Sequence, residues 1–153
     1  MSRYSRMSWE EKQRTSEARV VLIETVFRNL RKQNILARAN FSCCGSCAGY
    51  DLATQATKKN AKGWVTWNRQ SEESIFDNGT VYVAYTGADA CSVPPPAAVD
   101  TLTIAQAFIA ELQKAGLRYE WDGTTERKIL INLKAGVGTP LTLEEHLALT
   151  IGL

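Results

Sequence analysis

Apolar residues recur at helical spacing over the first part of the chain. Ser8 and Glu11 stand three residues apart, which is the spacing of a helix-capping box. Further apolar residues then repeat every third or fourth position, at Val20, Ile23, Val26, Phe27 and Leu30. This pattern predicts one long amphipathic helix over residues 9–33. Because Arg, Lys and Glu occupy its other side, we expect the apolar side to cover a sheet.

A short apolar stretch and a second helical pattern follow. Ile35–Phe41 is predicted to form a strand. Ala48–Lys59 is rich in Ala and has no proline, so it is predicted to form a helix. The sequence between them is Ser42-Cys43-Cys44-Gly45-Ser46-Cys47. We therefore expect three cysteines where a strand ends and a helix begins.

Aromatic and β-branched runs later in the chain indicate two antiparallel hairpins. A polar loop ending in Asp77-Asn78-Gly79 is predicted to join the first pair of strands, and the turn signal Asp122-Gly123 joins the second. Trp and Tyr alternate along these strands, so we expect one face of the sheet to pack against helices and the other to be partly solvated. The predicted pairs are Trp64–Trp67 with Thr80–Tyr85, and Leu117–Trp121 with Lys128–Leu133.

Two further helices complete the prediction. The prolines of Val93–Pro96 indicate a stiff connector. Ala97–Lys114 then has helical spacing and stands before Gly116, a residue suited to a helix C-terminus. Pro140 precedes a short predicted helix over residues 141–150.

The predicted elements define the fold class. Three or four helices accompany about five strands, four of which belong to the two hairpins. This combination indicates an α+β fold with a mostly antiparallel sheet, rather than a doubly wound parallel one. No internal repeat or linker divides the sequence, so residues 1–153 are predicted to form a single domain.

Composition and charge narrow the classes of function. The chain has 153 residues, of which 44% are hydrophobic and 22% charged, as in ordinary globular domains. Its net charge of +2 combines +5 in residues 1–40, from nine Lys and Arg against four Glu, with −3 in residues 41–153, from nine basic against twelve acidic residues. Arg28, Arg31 and Lys32 lie near the end of the first predicted helix, where the helix dipole favours cations. Binding to a nucleic-acid backbone is the less favoured interpretation, since no nucleic-acid motif accompanies these residues.

Two observations concern location. The apolar run Val20–Ile23 is far shorter than the ~20 residues that cross a bilayer. The N-terminal segment lacks the apolar stretch and the cleavage site of a secretory signal. We expect a cytoplasmic protein that does not enter the membrane.

Three interpretations of the cysteines remain open. As a redox pair, Cys44 and Cys47 have Cys-x-x-Cys spacing at a helix N-terminus that would stabilise a thiolate. A thioredoxin-like protein would also begin with a parallel βαβ unit, whereas the pattern here predicts hairpins. As zinc ligands, Cys43, Cys44 and Cys47 would need a fourth donor, for which Cys91 and His146 are the remaining candidates. As structural residues, the thiols would pack as small apolar side chains.

Other catalytic arrangements have weaker support. His146 is the single histidine, so it would have to serve any Cys-His or Ser-His nucleophile. Glu72 and Glu73 lie in a polar stretch, and the sequence places no second carboxylate opposite them. The sequence therefore favours a protein that is not an enzyme.

Four segments together resemble an uncharacterised bacterial family, one of the domains of unknown function. The most specific of them contains the motif Asn-Phe-Ser-Cys-Cys-x-x-Cys at Asn40–Cys47. The family tends to have Gln-Asp-Thr-Glu where this chain has Gln70-Ser71-Glu72-Glu73, and Cys91 is outside its pattern. The resemblance covers residues 20–133; it implies a shared fold that includes the cysteine cluster, and no particular activity, cofactor or partner. The four segments are Ile35–Cys47, Gly63–Gln70, Val81–Gly87 and Ala115–Gly123.

The leading hypothesis from the sequence is a small, non-catalytic binding or regulatory protein with a protein partner. In this hypothesis the cysteine cluster supports the fold, with zinc as its candidate metal. The alternative is a thiol-disulfide redox protein or sensor that uses Cys44 and Cys47.

Overall fold

The computed structural model describes residues 9–41 and 45–133. Within these ranges the chain forms four α-helices and a five-stranded sheet. A short 3-10 helix, Ala88–Ala90, follows the third strand. The helices are α1 (Trp9–Lys32), α2 (Gly45–Lys59), α3 (Arg69–Asn78) and α4 (Thr101–Ala115), and the strands are β1 (Ile35–Arg38), β2 (Gly63–Thr66), β3 (Thr80–Gly87), β4 (Arg118–Glu120) and β5 (Ile129–Asn132).

The strands follow the order β1-β2-β3-β5-β4 across the sheet. β1 and β2 are parallel, with Ile35 opposite Gly63 and Arg38 opposite Thr66. The other three neighbouring pairs in the described sheet are antiparallel. The predicted α+β class with a mostly antiparallel sheet is confirmed.

Three predicted helices are confirmed, with small shifts at their ends. Those over 9–33 and Ala48–Lys59 correspond to α1 and α2. α4 begins at Thr101, later than predicted, because the Asp100 carboxylate accepts a hydrogen bond from a first-turn amide and caps the helix there. Gly116 ends α4 in the left-handed conformation, with a φ of 72°. None of the described helices is both long and apolar enough to cross a membrane.

The strand predictions are confirmed in part. The second predicted hairpin is the antiparallel pair of β4 and β5. The strand predicted over Ile35–Phe41 is shorter and ends at Arg38, since the backbone then turns with a positive φ of 50° at Asn40. The helix predicted over residues 141–150 lies outside the described residues.

The first predicted hairpin differs in its connection. β2 and β3 are antiparallel neighbours, but α3 replaces the polar loop that was predicted to end at Gly79. The Asn68 side chain begins this helix by accepting a hydrogen bond from the Ser71 amide at 2.9 Å. Gly79 ends the helix with a φ of 68°. α3 has few apolar residues, which is why its pattern predicts a loop; buried Ile75 anchors it in the core.

The pairing of β1 with β2 differs from the prediction, which contained only antiparallel hairpins. β1, α2 and β2 form a parallel βαβ unit, in which α2 is the crossover. Both strands have only four residues, so their pattern carries little information about their partners. The cysteine segment, residues 43–47, therefore includes the first turn of the crossover helix of a βαβ unit.

One face of the sheet is covered by α1 and α4. Phe27 of α1 packs against Trp67 and Phe108, with ring centroids 5.2 and 6.2 Å apart. Glu111 of α4 is 4% exposed and accepts a hydrogen bond from Asn29 of α1. Because a buried carboxylate needs such partners, this contact joins the two helices. The larger of the two apolar clusters in the described residues lies on this face.

The opposite face of the sheet is covered over part of its width. Trp64 of β2 packs beneath α2, together with Leu52 and Ala56. In the described part of the chain, no helix lies over the outward residues of β3 and β5, such as Tyr82 and Leu130. We call this uncovered area the open half of the sheet.

Candidate functional site

The cysteine segment connects β1 to α2. β1 ends at Arg38 and α2 begins at Gly45, so Cys47 lies in the first turn of the helix. Cys43 and Cys44 lie outside the described residues. The first turn of a helix carries partial positive charge from its unpaired amides, which favours an anionic group such as a thiolate.

Two helices begin at the same edge of the sheet. Because β1 and β2 are parallel, their carboxyl ends lie side by side, and α2 and α3 follow them there. The Phe41 amide donates to the Trp67 carbonyl at 2.9 Å and so links the segments that follow the two strands. The Thr66 hydroxyl donates to the Arg38 carbonyl at 2.7 Å. These bonds fix the edge of the sheet beside the cysteine segment.

A cleft of about 220 Å³ opens next to this edge. Its walls include the early turns of α2, at Ala48 and Gly49, and the start of α3 at Ser71. No atom lies within 4 Å of the position that a Cβ would take on Gly49, so α2 leaves the cleft open there. Its floor is formed by outward residues of β2 and β3, namely Trp64, Thr66, Tyr82, Ala84 and Thr86.

A larger cavity of about 560 Å³ continues over β3 and β5. Tyr82 and Lys128 line both cavities, so they form one continuous surface, which we call the sheet groove. Tyr82 is 53% exposed, whereas Tyr85, which points to the other face of β3, is 7% exposed. The other residues that line the larger cavity are Glu120, Trp121, Asp122, Arg127 and Leu130.

The Tyr85 hydroxyl holds the far wall of the sheet groove. The Trp121 indole donates to it at 2.9 Å, and the hydroxyl lies 2.9 and 2.7 Å from the carbonyl oxygens of Thr124 and Arg127. The rings of Tyr85 and Trp121 meet edge to face, with centroids 6.2 Å apart. Burial raises the pKa of Tyr85 above its ordinary value of 10.0, so this hydroxyl stays protonated. The β4–β5 turn therefore has a defined shape.

Four charged side chains line the larger cavity, two acidic and two basic. Hydrogen bonds from the backbone amide and hydroxyl of Thr124 hold the pKa of Asp122 below its ordinary value. Arg127 Nε lies 3.9 Å from the same carboxylate. Lys128 has no carboxylate partner among the described residues, so its ammonium is available to an acidic ligand.

Cys91 lies apart from the cysteine segment. It is partly buried, and its Sγ contacts the Ala53 carbonyl at 3.7 Å, in the third turn of α2. The backbone of Cys47, six residues earlier in the helix, is about 9 Å away along the axis at 1.5 Å per residue. His146 lies outside the described residues. Among those that are described, no three His, Cys, Asp or Glu side chains converge as a metal site.

Glu72, Arg31 and Lys32, which were candidate functional residues in the sequence, have structural roles. Glu72 accepts a hydrogen bond from the Trp67 indole at 2.8 Å. Arg31 donates to the Ala37 carbonyl at 2.9 Å, and Arg31 and Lys32 occupy the last turn of α1, where the helix dipole favours them. None of these charged side chains lines the sheet groove.

No sequence pattern marks Tyr82 or Lys128 as a binding residue. Alternation along β3 does place Tyr82 on the side opposite to Val81 and Val83, which marks it as an outward residue. Whether a helix covers that side is a separate matter. Coverage of that side depends on where α2 packs. In the described part of the chain, α2 contacts the sheet mainly at β2 and leaves Tyr82 of β3 uncovered.

Comparison with known proteins identifies the family of the chain. Neither curated proteins nor solved structures include a match. One family model, described as a domain of unknown function (DUF6891), matches residues 4–135. That range includes the cysteine segment, the βαβ unit and every described residue that lines the sheet groove. The chain therefore belongs to the DUF6891 family.

Proposed function

We propose that this protein is a small, non-catalytic binding or regulatory protein whose recognition surface is the sheet groove. The observation that carries the proposal is the open half of the sheet, where cavities of about 560 and 220 Å³ meet at exposed Tyr82. Ligand sites are typically concave and combine apolar and aromatic side chains with a few polar groups. The sheet groove has this composition, with Trp121 and Leu130 beside Lys128.

The shape of the sheet groove favours a peptide segment of a partner protein as its ligand. The groove is open and crosses β2, β3 and β5, so an elongated chain can lie along it. Its far wall is held by the Tyr85 hydroxyl, and the start of α3 is held by the Asn68 cap. A preformed surface loses less entropy on binding, which favours affinity.

The perturbed titratable groups support a role in binding rather than acid-base chemistry. Burial raises the pKa of Tyr85 within a structural hydrogen-bond network. Hydrogen bonds from Thr103 lower the pKa of Asp100, which caps α4. Asp122 is held in the β4–β5 turn. Each of these shifts has a structural cause.

In this proposal the cysteine segment positions the start of α2. α2 forms one wall of the cleft at Ala48 and Gly49, so its position sets the width of the cleft. Thiols packed where a strand meets a helix act as small apolar side chains. Zinc bound to Cys43, Cys44 and Cys47 would hold the segment more firmly, with a fourth donor from elsewhere in the chain or from solvent.

The binding proposal can be tested with a random-peptide phage library. The library is selected on the wild-type protein, and the recovered phage are then bound to Tyr82→Ala and Tyr50→Ala variants. Tyr50 is a matched control, because it is 76% exposed and lines a different surface. We expect peptides that lose binding to Tyr82→Ala and keep it to Tyr50→Ala. Failure to recover any peptide, or equal binding to both variants, would contradict the proposal.

The βαβ unit favours a second candidate function, a thiol-disulfide redox protein or sensor. Cys44 and Cys47 stand around the first residues of the crossover helix, and the cleft lies beside the following residues. In this reaction the two thiols transfer two electrons and two protons to a disulfide such as oxidised glutathione, and a Cys44–Cys47 disulfide forms. A lowered thiol pKa at the helix N-terminus would accelerate attack on that disulfide.

Native mass spectrometry distinguishes the roles of the cysteine segment. Protein is purified without oxygen under mild reduction, and one portion is then oxidised with glutathione disulfide. Bound zinc adds its mass, whereas an internal disulfide removes the mass of two hydrogens. Zinc that leaves on thiol alkylation supports the metal-stabilised form, and a reversible disulfide blocked by Cys44→Ser and Cys47→Ser supports the redox function. Neither mass change, together with lower stability of these variants, supports purely structural thiols.

A further inference from the structure

We propose that the cleft between α2 and α3 binds the C-terminal residue of the partner's peptide, with the apolar side chain of that residue on the cleft floor and its carboxylate near Lys128. This inference rests on the proposed function of the sheet groove as a peptide-binding surface. It adds which part of the peptide the cleft receives. All the residues that carry it belong to the described part of the chain.

The volume of the cleft suits a single residue. The cleft measures about 220 Å³, whereas sites for drug-sized ligands measure about 300–1,000 Å³. An apolar cavity of about 150 Å³ is large enough to bind benzene. One aromatic or large aliphatic side chain can therefore fill most of the cleft, above the floor that includes Trp64, Tyr82 and Ala84.

The polar side chains that are unpaired in the cleft can all donate hydrogen bonds. Asn68 uses its side-chain oxygen to cap α3, which leaves its NH2 group without a partner among the described residues. The hydroxyls of Ser71 and Thr86 also line the cleft and make no hydrogen bond within that part of the chain. A carboxylate only accepts hydrogen bonds, and it does so at both oxygens. It therefore complements this set of donors.

The charges around the cleft favour an anion in it. Lys128 is the one charged side chain among the described residues that line the cleft, and none of the described carboxylates pairs with it. Glu120 and Asp122 line only the larger cavity, and Glu120 lies opposite Leu130 in the sheet. Glu72 of α3 does not line the cleft, and its carboxylate already accepts an indole N–H. We therefore expect the acidic end of a ligand at the cleft rather than over β4.

An extended peptide combines an apolar side chain and a carboxylate within one residue only at its C-terminus. Successive side chains of an extended chain point to opposite sides, so an acidic residue next to the apolar one would point away from the sheet. The next side chain on the same side is about 7 Å further along. The cleft also lies at one end of the sheet groove, where Gly49 of α2 and Ser71 of α3 form walls. A peptide that crosses β5 and β3 would therefore end there.

The first test compares two display formats of the random-peptide phage library. In one format the peptides end in a free carboxyl group, and in the other the same peptides are joined to the coat protein at their C-terminus. We expect peptides that require Tyr82 from the first format, ending in an apolar or aromatic residue, and none from the second. Equal recovery of such peptides from both formats would leave the proposed function in place and overturn this inference.

A thermodynamic cycle tests the contact with Lys128. The selected peptides are synthesised as free acids and as C-terminal amides, and calorimetry gives their affinities for the wild type, Lys128→Gln and Lys58→Gln. Amidation should weaken binding to the wild type about tenfold, and to Lys128→Gln only about threefold, because neutral donors remain there. Lys58 lines a different cavity, so Lys58→Gln should behave like the wild type. An equal effect of amidation on all three proteins would refute the contact and the inference.

A small probe separates this inference from the proposed function. N-acetyl-phenylalanine has an aromatic side chain and a carboxylate but no further peptide chain. In NMR titrations it should shift the backbone amides of Gly49 and Ser71 and the indole N–H of Trp64, and its C-terminal amide should shift them much less. If these shifts occur while neither library yields a peptide, the cleft binds the carboxylate and peptide recognition is wrong. Absence of the shifts at millimolar probe, with no peptide captured, would reject both.

Discussion

Replacement of Tyr85 by phenylalanine tests whether the wall of the sheet groove is held as described. The hydroxyl accepts a hydrogen bond from the Trp121 indole and lies near the carbonyl oxygens of Thr124 and Arg127. The hydroxyl has one proton and can donate to only one of these carbonyls at a time. Two hydrogen bonds are therefore present at any moment, one from the Trp121 indole and one to a carbonyl oxygen. At about 1 kcal/mol each, their loss should lower the free energy of unfolding by about 2 kcal/mol.

The assay is urea denaturation followed by tryptophan fluorescence, with Tyr82→Phe as the matched control. Tyr82 loses the same hydroxyl from an exposed position, so its variant should stay within about 0.5 kcal/mol of the wild type. Trp121 also donates to the Thr124 carbonyl at 2.9 Å, and this bond should keep the indole paired in Tyr85→Phe. The Arg127 carbonyl loses the partner that the hydroxyl supplied.

The same substitution has a predicted pH dependence. Because burial raises the folded-state pKa of Tyr85 above 10.0, the folded protein retains this proton more strongly than the unfolded chain. The wild type should therefore keep the contribution of Tyr85 below pH 10.0 and lose it as the pH rises toward the folded-state pKa. Tyr85→Phe should lose less stability over that range. Equal unfolding energies for Tyr85→Phe and Tyr82→Phe, or parallel alkaline profiles, would refute the described network.

Three further predictions concern glycine packing and the residues that cap two helices. Gly49→Ala should stabilise the protein by about 0.5–1 kcal/mol, because the new Cβ in α2 meets no atom. Gly63→Ala should instead destabilise the protein by about 1–3 kcal/mol, because the new Cβ would overlap the Thr86 carbonyl and Ile104. Thermal unfolding of the two variants compares these effects directly. Asn68→Ala should cost about 1 kcal/mol by removing the cap of α3, and Asn68→Ser should recover most of it in urea denaturation. Hydrogen bonds from Thr103 lower the pKa of Asp100 below 3.8. The contribution of Asp100 to stability should therefore be present above that pH and disappear as the pH falls through the folded-state pKa. Asp100→Asn keeps the helix cap and should remove this pH dependence from acid-unfolding curves.

The proposals for the cysteine segment and the sheet groove meet at α2. Cys47 lies in the first turn of this helix, and Ala48 and Gly49 line the cleft immediately afterwards. Any bond that moves the first turn, whether to zinc or within a disulfide, would therefore change the width of the cleft. Peptide affinity measured before and after oxidation would show whether the two features are coupled.

The sequence alone determined the elements that depend on neighbouring residues. The apolar stripe at Ile23, Phe27 and Leu30 predicts α1 and its buried face, since side chains three or four residues apart share one side of a helix. The Asp122-Gly123 turn predicts the β4–β5 hairpin, because the turn and both strands are adjacent in the chain. The position of Cys47 at the start of a helix follows for the same reason.

Tertiary structure decided the features that depend on residues distant in sequence. Arg38 and Thr66 become partners in the parallel pair across an intervening helix, which no local pattern encodes. α3 is a helix rather than a loop because Ile75 finds a place in the core. Tyr82 is exposed because α2 packs over Trp64 of β2 and leaves β3 and β5 open. Alternation sets the side of the sheet on which a residue lies, but only the packing of the helices decides whether that side is buried or forms a groove.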